Sequence, residues 1–289
     1  MPTSEPDAGM LRALAVTQLR VNASPPSATG AGAPDPGGGV VPSRVEAGAG
    51  ASWWGEAWTI FRAAPIEWIG IAIVFGIVSV VLAYIPVVGG IAQTVLAPVF
   101  AGGVMLGCDQ LARGEPLGIG CLFEGFRGRH FAPLLVLGLI WLAILAVTAI
   151  IIVAGTLLAL GSGGVAALMR AADSMSFDLA SVDYAALLTA GMTFVVLSTI
   201  ALVIAIIAAS AYWFAPALVV LNGETPIAAL RASFSASWVN IGAFLLYSVI
   251  GIGLAIVASI PLLLGWLVLG PMTAASAYAG WRTIFGRST

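Results

Sequence analysis

An all-α membrane bundle is what the sequence predicts: six transmembrane helices in three hairpins, with amphipathic interfacial helices on the cytoplasmic side. Three observations lead there. Hydrophobic residues make up 60% of the chain and charged residues only 8%, against roughly a quarter charged in soluble domains. Mean hydropathy is +1.07. No side chain charged at neutral pH interrupts the sequence between Glu67 and Asp109, or between Arg231 and Arg282, and 131–169 and 184–223 are likewise free of charge. A helix needs about twenty apolar residues to cross a bilayer, where only internally bonded backbone is tolerated.

The chain begins differently. Ala, Gly, Pro and Ser dominate up to residue 51, with too few large apolar groups to offset the entropy of ordering, so 1–51 reads as a disordered cytoplasmic tail and 52–289 as the membrane domain. Residues 10–21 lack the basic start and long apolar centre of a cleaved signal peptide.

The first uncharged stretch divides at Ile85, Pro86, Gly89 and Gly90 into spans 68–85 and 87–107, because Pro and Gly punctuate helices. Residues 131–160 form one long span ending at the glycines 161, 163 and 164, and 190–221 form another, with Pro216 near its end. The last stretch divides at Pro261 into spans 240–260 and 262–279.

Six spans place both termini on one side, and arginine placement names the side. All 11 basic residues are Arg. Arg62, Arg113, Arg127, Arg129, Arg231, Arg282 and Arg287 fall near span ends on one face and Arg170 alone on the other, so both termini are expected in the cytoplasm of a bacterial inner (cell) membrane.

Before each odd-numbered span, large apolar residues recur at helical spacing: Trp54, Trp58 and Phe61; Leu122 and Phe126; Ile227, Leu230, Phe234 and Trp238. They read as interfacial helices, the third capped by Thr225 and Pro226. Phe61 and Pro98 stand as far apart as Phe234 and Pro271, and Pro86 and Pro261 fall at similar points between them. The middle copy keeps Phe126 and Pro216. Three parallel repeats of interfacial helix plus hairpin are expected.

These runs carry a resemblance. Trp53–Trp58 with Phe61, Arg62, Pro65 and Trp68; Ala97–Cys108; Gly114–Leu117 leading to Leu122–Phe126; Ser233–Asn240; and Tyr278–Phe285 together resemble an uncharacterised family of bacterial six-span inner-membrane proteins. That family is distantly similar to the membrane domain of glycerophosphodiester phosphodiesterases. The resemblance covers roughly residues 42–285. It implies the six-span topology and the inner-membrane address, and passes on no activity. Trp281 departs from a Tyr-rich ending followed by an acidic residue near Thr283, which argues against a polar role for the C-terminal segment.

Candidate site residues are few, and none is expected to be catalytic, to hold a cofactor or to bind a metal. His130 is the one histidine, and it reads as a headgroup contact or a residue without a role. Cys108 and Cys121 share a cytoplasmic loop where thiols stay reduced, without partners at zinc-ligand spacing. The spans bury no Asp, Glu, His or Arg of the kind that marks a proton or ion pathway. Glu67 and Asp109 sit at span boundaries.

Gln93, Thr94 and Pro98 line either a small cavity or a kinked packing face, with Pro216 and Pro271 as repeat counterparts, and Gly103 and Gly107 allow close helix approach. Trp54, Trp58, Phe61, Arg62, Trp68, Phe126, Arg127, Arg129, Arg231, Phe234, Trp238, Trp281 and Arg282 read as interfacial anchors. Dispersed arginines make no nucleic-acid surface.

The expected partners are membrane lipids, and other membrane proteins or a second copy of the chain. The leading expectation is a non-enzymatic membrane-organising or partner-binding protein. The alternative is a lipid-handling or small-solute transport protein with a cavity near spans two and six.

Overall fold

The computed structural model describes residues 40–174, 184–262 and 264–286, and every regular element among them is helical. Eight principal helices run α1 (Ala49–Ala63), α2 (Pro65–Ala83), α3 (Val88–Ala112), α4 (Phe131–Ser174), α5 (Tyr184–Tyr212), α6 (Pro226–Val239), α7 (Ile241–Ser259) and α8 (Trp266–Phe285). Two 3-10 turns, Ile119–Phe126 and Gly128–His130, lead into α4. Five segments are long and apolar enough to cross a membrane: Pro65–Ala83, Val88–Ala112, Gly128–Gly161, Leu188–Asn222 and Ile241–Ser259.

The expected sixth span, 262–279, is not among the five. Leu262 lies in a turn and α8 begins at Trp266. Beyond Pro271 this helix is mostly Ala, Ser, Thr and Gly, which lowers its hydropathy. Those residues face protein: Pro271, Met272 and Ala275 through Trp281 are all buried. The Val88–Ala112 segment is also central, with 50% of its membrane-length window buried against 11% for Pro65–Ala83.

Contacts divide the chain into two compact units, 1–139 with 210–289, and 140–209. In the second, α4 and α5 pack closely enough that a Cβ on Gly155 would stand 2.4 Å from a Leu197 methyl. Thr148 bonds back to Ile144 and Thr199 to Val195 within their own helices. The expected break at 161–164 is a kink, because Gly161 takes φ 62 and the helix then continues to Ser174.

In the first unit α1 buries Gly50, Trp53, Trp54, Ala57, Ile60 and Phe61, one face at helical spacing. That face is covered by α7 and α8. Trp54 stacks on Tyr247 at 4.8 Å and donates its indole N–H to the Tyr247 carbonyl. The residues that do face outward are Trp58, with Arg62 set over its ring, and on α6 Ile227, Arg231, Phe234 and Trp238.

The expected tail to residue 51 is shorter than composition suggests. Residues 40–46 form no regular element and helix begins at Ala49. Ser43 bonds Ile284, Val45 N–H donates to Asn240 Oδ1, and Val40 N–H donates to Glu224. Residues 1–39 of the expected tail lie outside the described residues.

Span four reaches Asn222 as a membrane-length apolar segment, but not as one unbroken helix. Helix α5 stops at Tyr212, and a short α turn at Ala215–Ala217 and a π-helical turn at Leu218–Asn222 follow, closed by Gly223 at φ 72. The bond from Phe214 N–H back to Ser210 C=O is interrupted. Ser233 of α6 inserts its hydroxyl there, accepting from Phe214 at 3.0 Å and donating to Ser210 at 2.9 Å. Helix α6 starts where Thr225 and Pro226 predict, with Thr225 Oγ1 accepting from Ala228.

Candidate functional site

Membrane-length helices end together, in the first unit, at a collar of polar and aromatic side chains. Glu56 on α1 meets Arg282 on α8 at 2.6 Å. Trp281 donates its indole N–H to Asn222 at 2.8 Å. The C-terminal segment, expected to lack a polar role, therefore ties α8 to both α1 and the turn before α6. The signal was present in the pairing of an arginine with an indole N–H, but not the identity of either partner.

At the end of α3, Arg113 pairs with Asp109 one turn back and with Glu115 at 3.0 Å. Tyr278 donates to Asp109 at 3.3 Å. The Glu115 bond holds Arg113 above its ordinary pKa. Burial raises the Glu56 carboxyl, with Arg282 pulling the other way. The Arg282–Glu56 pair is largely enclosed, whereas Arg113 and Glu115 meet at the surface.

The 3-10 turn Ile119–Phe126 lies against the glycine face of α3. A Cβ on Gly103 would stand 2.5 Å from the Cys121 carbonyl, and one on Gly107 would stand 2.8 Å from the Cys121 sulfur. The small-residue face of Gly103 and Gly107 is therefore filled by this chain's own segment. The stretch around Leu122 and Phe126, expected as an interfacial α-helix, is 3-10 because this approach needs a tight backbone: a Cβ on Gly125 would meet the Val99 carbonyl at 2.0 Å. Cys108 and Cys121 are buried free thiols, and burial with the neighbouring Glu124 charge pushes Cys121 up to about 12.

Where that turn passes into α4, Leu106, Glu124, Arg127, Gly128, Arg129 and His130 line an open groove of about 410 Å³. Glu124 accepts from Gln110 at 3.2 and 3.3 Å. Among the described residues no group of three His, Cys, Asp or Glu is arranged to hold a metal.

The residues singled out for a cavity do not share one site. Gln93 donates to Ser79 at 2.9 Å and Thr94 bonds back to Gly90, while Pro98, Pro216 and Pro271 are buried in packing. The anchors separate into two sets. Trp58, Arg62, Arg127, Arg129, Arg231, Phe234 and Trp238 are exposed, and Phe126 is half-buried. Trp54, Phe61, Trp68 and Trp281 are inside the protein; Trp68 is 0% exposed and donates to the Ile60 carbonyl. For these four the rings serve the core, and each indole finds an acceptor within the chain. Arg282 is held by Glu56 rather than by headgroups.

No family model and no solved structure matches the chain. Over 235 residues it is 28% identical to a probable inner membrane protein of Burkholderia thailandensis, an alignment covering 81% of this chain and 82% of that one. Five membrane-length apolar helices and this similarity identify the chain as a transmembrane protein, related to a protein named for the inner membrane.

Proposed function

We propose that this is an integral protein of the bacterial inner membrane that acts without catalysis, presenting its collar to membrane partners. The observation that carries this reading is the division of the collar helices. Their inner faces are spent on core packing, while Trp58, Arg62, Arg231, Phe234 and Trp238 remain exposed on α1 and α6. Exposed aromatics beside arginine are the residues that dominate protein contacts. Substituting this set with alanine should reduce recovery of co-purifying membrane proteins at unchanged expression; an unchanged profile would sink the reading.

The same reading takes α8 as a sixth span and the helix pairs as three hairpins. Hairpins one and three share supporting details. Pro86 precedes Val87 at φ 62 and Pro261 precedes Leu262 at φ 50. Gly89 packs on the Leu82 carbonyl, and Gly265 packs on the Ala258 backbone. The arginine bias supports a cytoplasmic collar. Impermeant maleimide on single-cysteine variants at 127 and 170 should label from opposite sides, as should variants at 264 and 286. Same-side labelling of either pair would overturn the six-span topology.

A transport function has less support. Gln93 and Thr94 are bonded within the helices, and Pro98 and Pro271 are buried. The similarity to phosphodiesterase membrane domains rests on the sequence runs alone.

A further inference from the structure

We propose that the groove at the start of α4 binds the phosphate of an anionic glycerophospholipid. This deepens the membrane reading above and rests on it, since the ligand comes from the bilayer that α4 enters.

Donor supply makes the groove different from the rest of the collar. Arg113 and Arg282 are each committed to carboxylates, and Arg62 lies over Trp58. Arg127 and Arg129 line one groove, are exposed, and form no ion pair among the described residues. Gly128 between them takes φ 61, a left-handed turn that costs glycine little and lets both flanking arginines border the same space. Two guanidinium forks beside the His130 ring suit a phosphodiester, which offers several acceptor oxygens and one negative charge. The one acid lining the groove, Glu124, already accepts from Gln110.

Depth points to a lipid. The apolar segment Gly128–Gly161, which contains an 18-residue window of mean hydropathy 3.0, begins at the groove itself, so the arginines stand at headgroup level when α4 crosses the bilayer. Leu106 of α3 adds an apolar wall beside the basic residues, as a glycerol backbone and the first methylenes require.

The test uses the full chain in detergent, stripped of co-purified lipid and exposed to equal phosphatidylglycerol and phosphatidylcholine, with retained lipid measured by native mass spectrometry. Wild type should retain phosphatidylglycerol preferentially. R127A/R129A should reduce its retention roughly tenfold or more, while R44A, at an exposed arginine outside both the groove and the collar's exposed set, should leave it unchanged. If the alanine pair fails to fold, R127K/R129K is read instead, with about a threefold loss expected from broken bidentate donation. Absence of a phosphatidylglycerol preference, equal loss in R44A, or undiminished retention in the folded variant read would overturn the groove. Full displacement of phosphatidylglycerol by millimolar inorganic phosphate would reassign the site to a soluble anion and overturn the lipid proposal. These outcomes leave the labelling and partner-recovery experiments untouched, so the groove and the membrane reading fail separately.

Discussion

Arg282 donates to the Glu56 carboxylate at 2.6 Å, and only 17% and 21% of the two side chains remain exposed. Desolvation outweighs attraction here, since the Glu56 carboxyl is raised in spite of its cationic neighbour. The pair therefore orients α1 against α8 more than it stabilises them. Glu56→Gln keeps an acceptor oxygen and removes the desolvated charge, so the unfolding midpoint in detergent near neutral pH should be unchanged or raised, by at most about 1 kcal/mol. Glu56→Ala strands the guanidinium and should cost about 1–3 kcal/mol. Equal losses from both would show that the charge itself does the holding.

The pH dependence carries the same sign. A carboxyl whose folded pKa exceeds its unfolded value binds its proton more tightly in the folded chain. Its contribution is fully present below the ordinary value near 4.5 and is lost as pH rises through the raised one. Midpoints measured across that window should fall with pH in wild type, and Glu56→Gln should flatten part of the slope. A slope unaltered by the substitution would assign the titration to another group.

Gly103 leaves no room for a side chain under the Cys121 and Leu122 carbonyls, at 2.5 and 2.7 Å from an added Cβ. These are backbone atoms that cannot rotate away. Gly103→Ala should destabilise by about 1–3 kcal/mol without altering the mass of the detergent-solubilised particle. A change in particle mass at retained stability would instead point to an intermolecular face.

Asn240 holds three backbone groups at once: Val45 N–H on its oxygen, and the Ser43 and Ala236 carbonyls on its amide. Asn240→Ala should free the segment around Arg44, and trypsin cleavage there should accelerate roughly tenfold, as expected for a loss near 1.4 kcal/mol in local opening. Cleavage at the wild-type rate would mean that the Ser43 bonds to Ile284 suffice.

Cys121, its thiol pushed up to about 12, stays protonated well above neutral pH. Maleimide at about pH 8 should leave it unmodified in the folded protein and label it after denaturation. Because the folded pKa is the higher one, the thiol's contribution is intact below the ordinary value near 9 and is lost only as pH climbs from there toward 12. Rapid labelling of the native protein would contradict the burial on which this rests.

Helix boundaries at Pro86, Pro261 and Thr225 were legible because backbone chemistry is local. The role of a tryptophan near a span end was not. Hydropathy treats Trp58 and Trp68 alike, yet one is 43% exposed and the other fully enclosed, since which face of a helix meets protein depends on partners distant in sequence. Gly103 and Gly107 announced close approach correctly and were silent about what approaches. Ser233 and Asn240 went unnoticed among small residues, because the groups they repair become visible only once α5 has ended and the 40–46 segment has docked. The groove was anticipated only in pieces, through Arg127, Arg129 and His130.

Helix α8 has a consequence for biogenesis. Its second half partitions too weakly to enter a lipid phase unaided, yet nearly every residue there is enclosed by neighbouring helices synthesised before it. The slot that α8 fills must stay open until α8 itself has left the ribosome. Synthesis order and assembly order therefore coincide, and a protein cut short before Trp266 would emerge as an unfinished intermediate with its centre exposed, a substrate for membrane quality control.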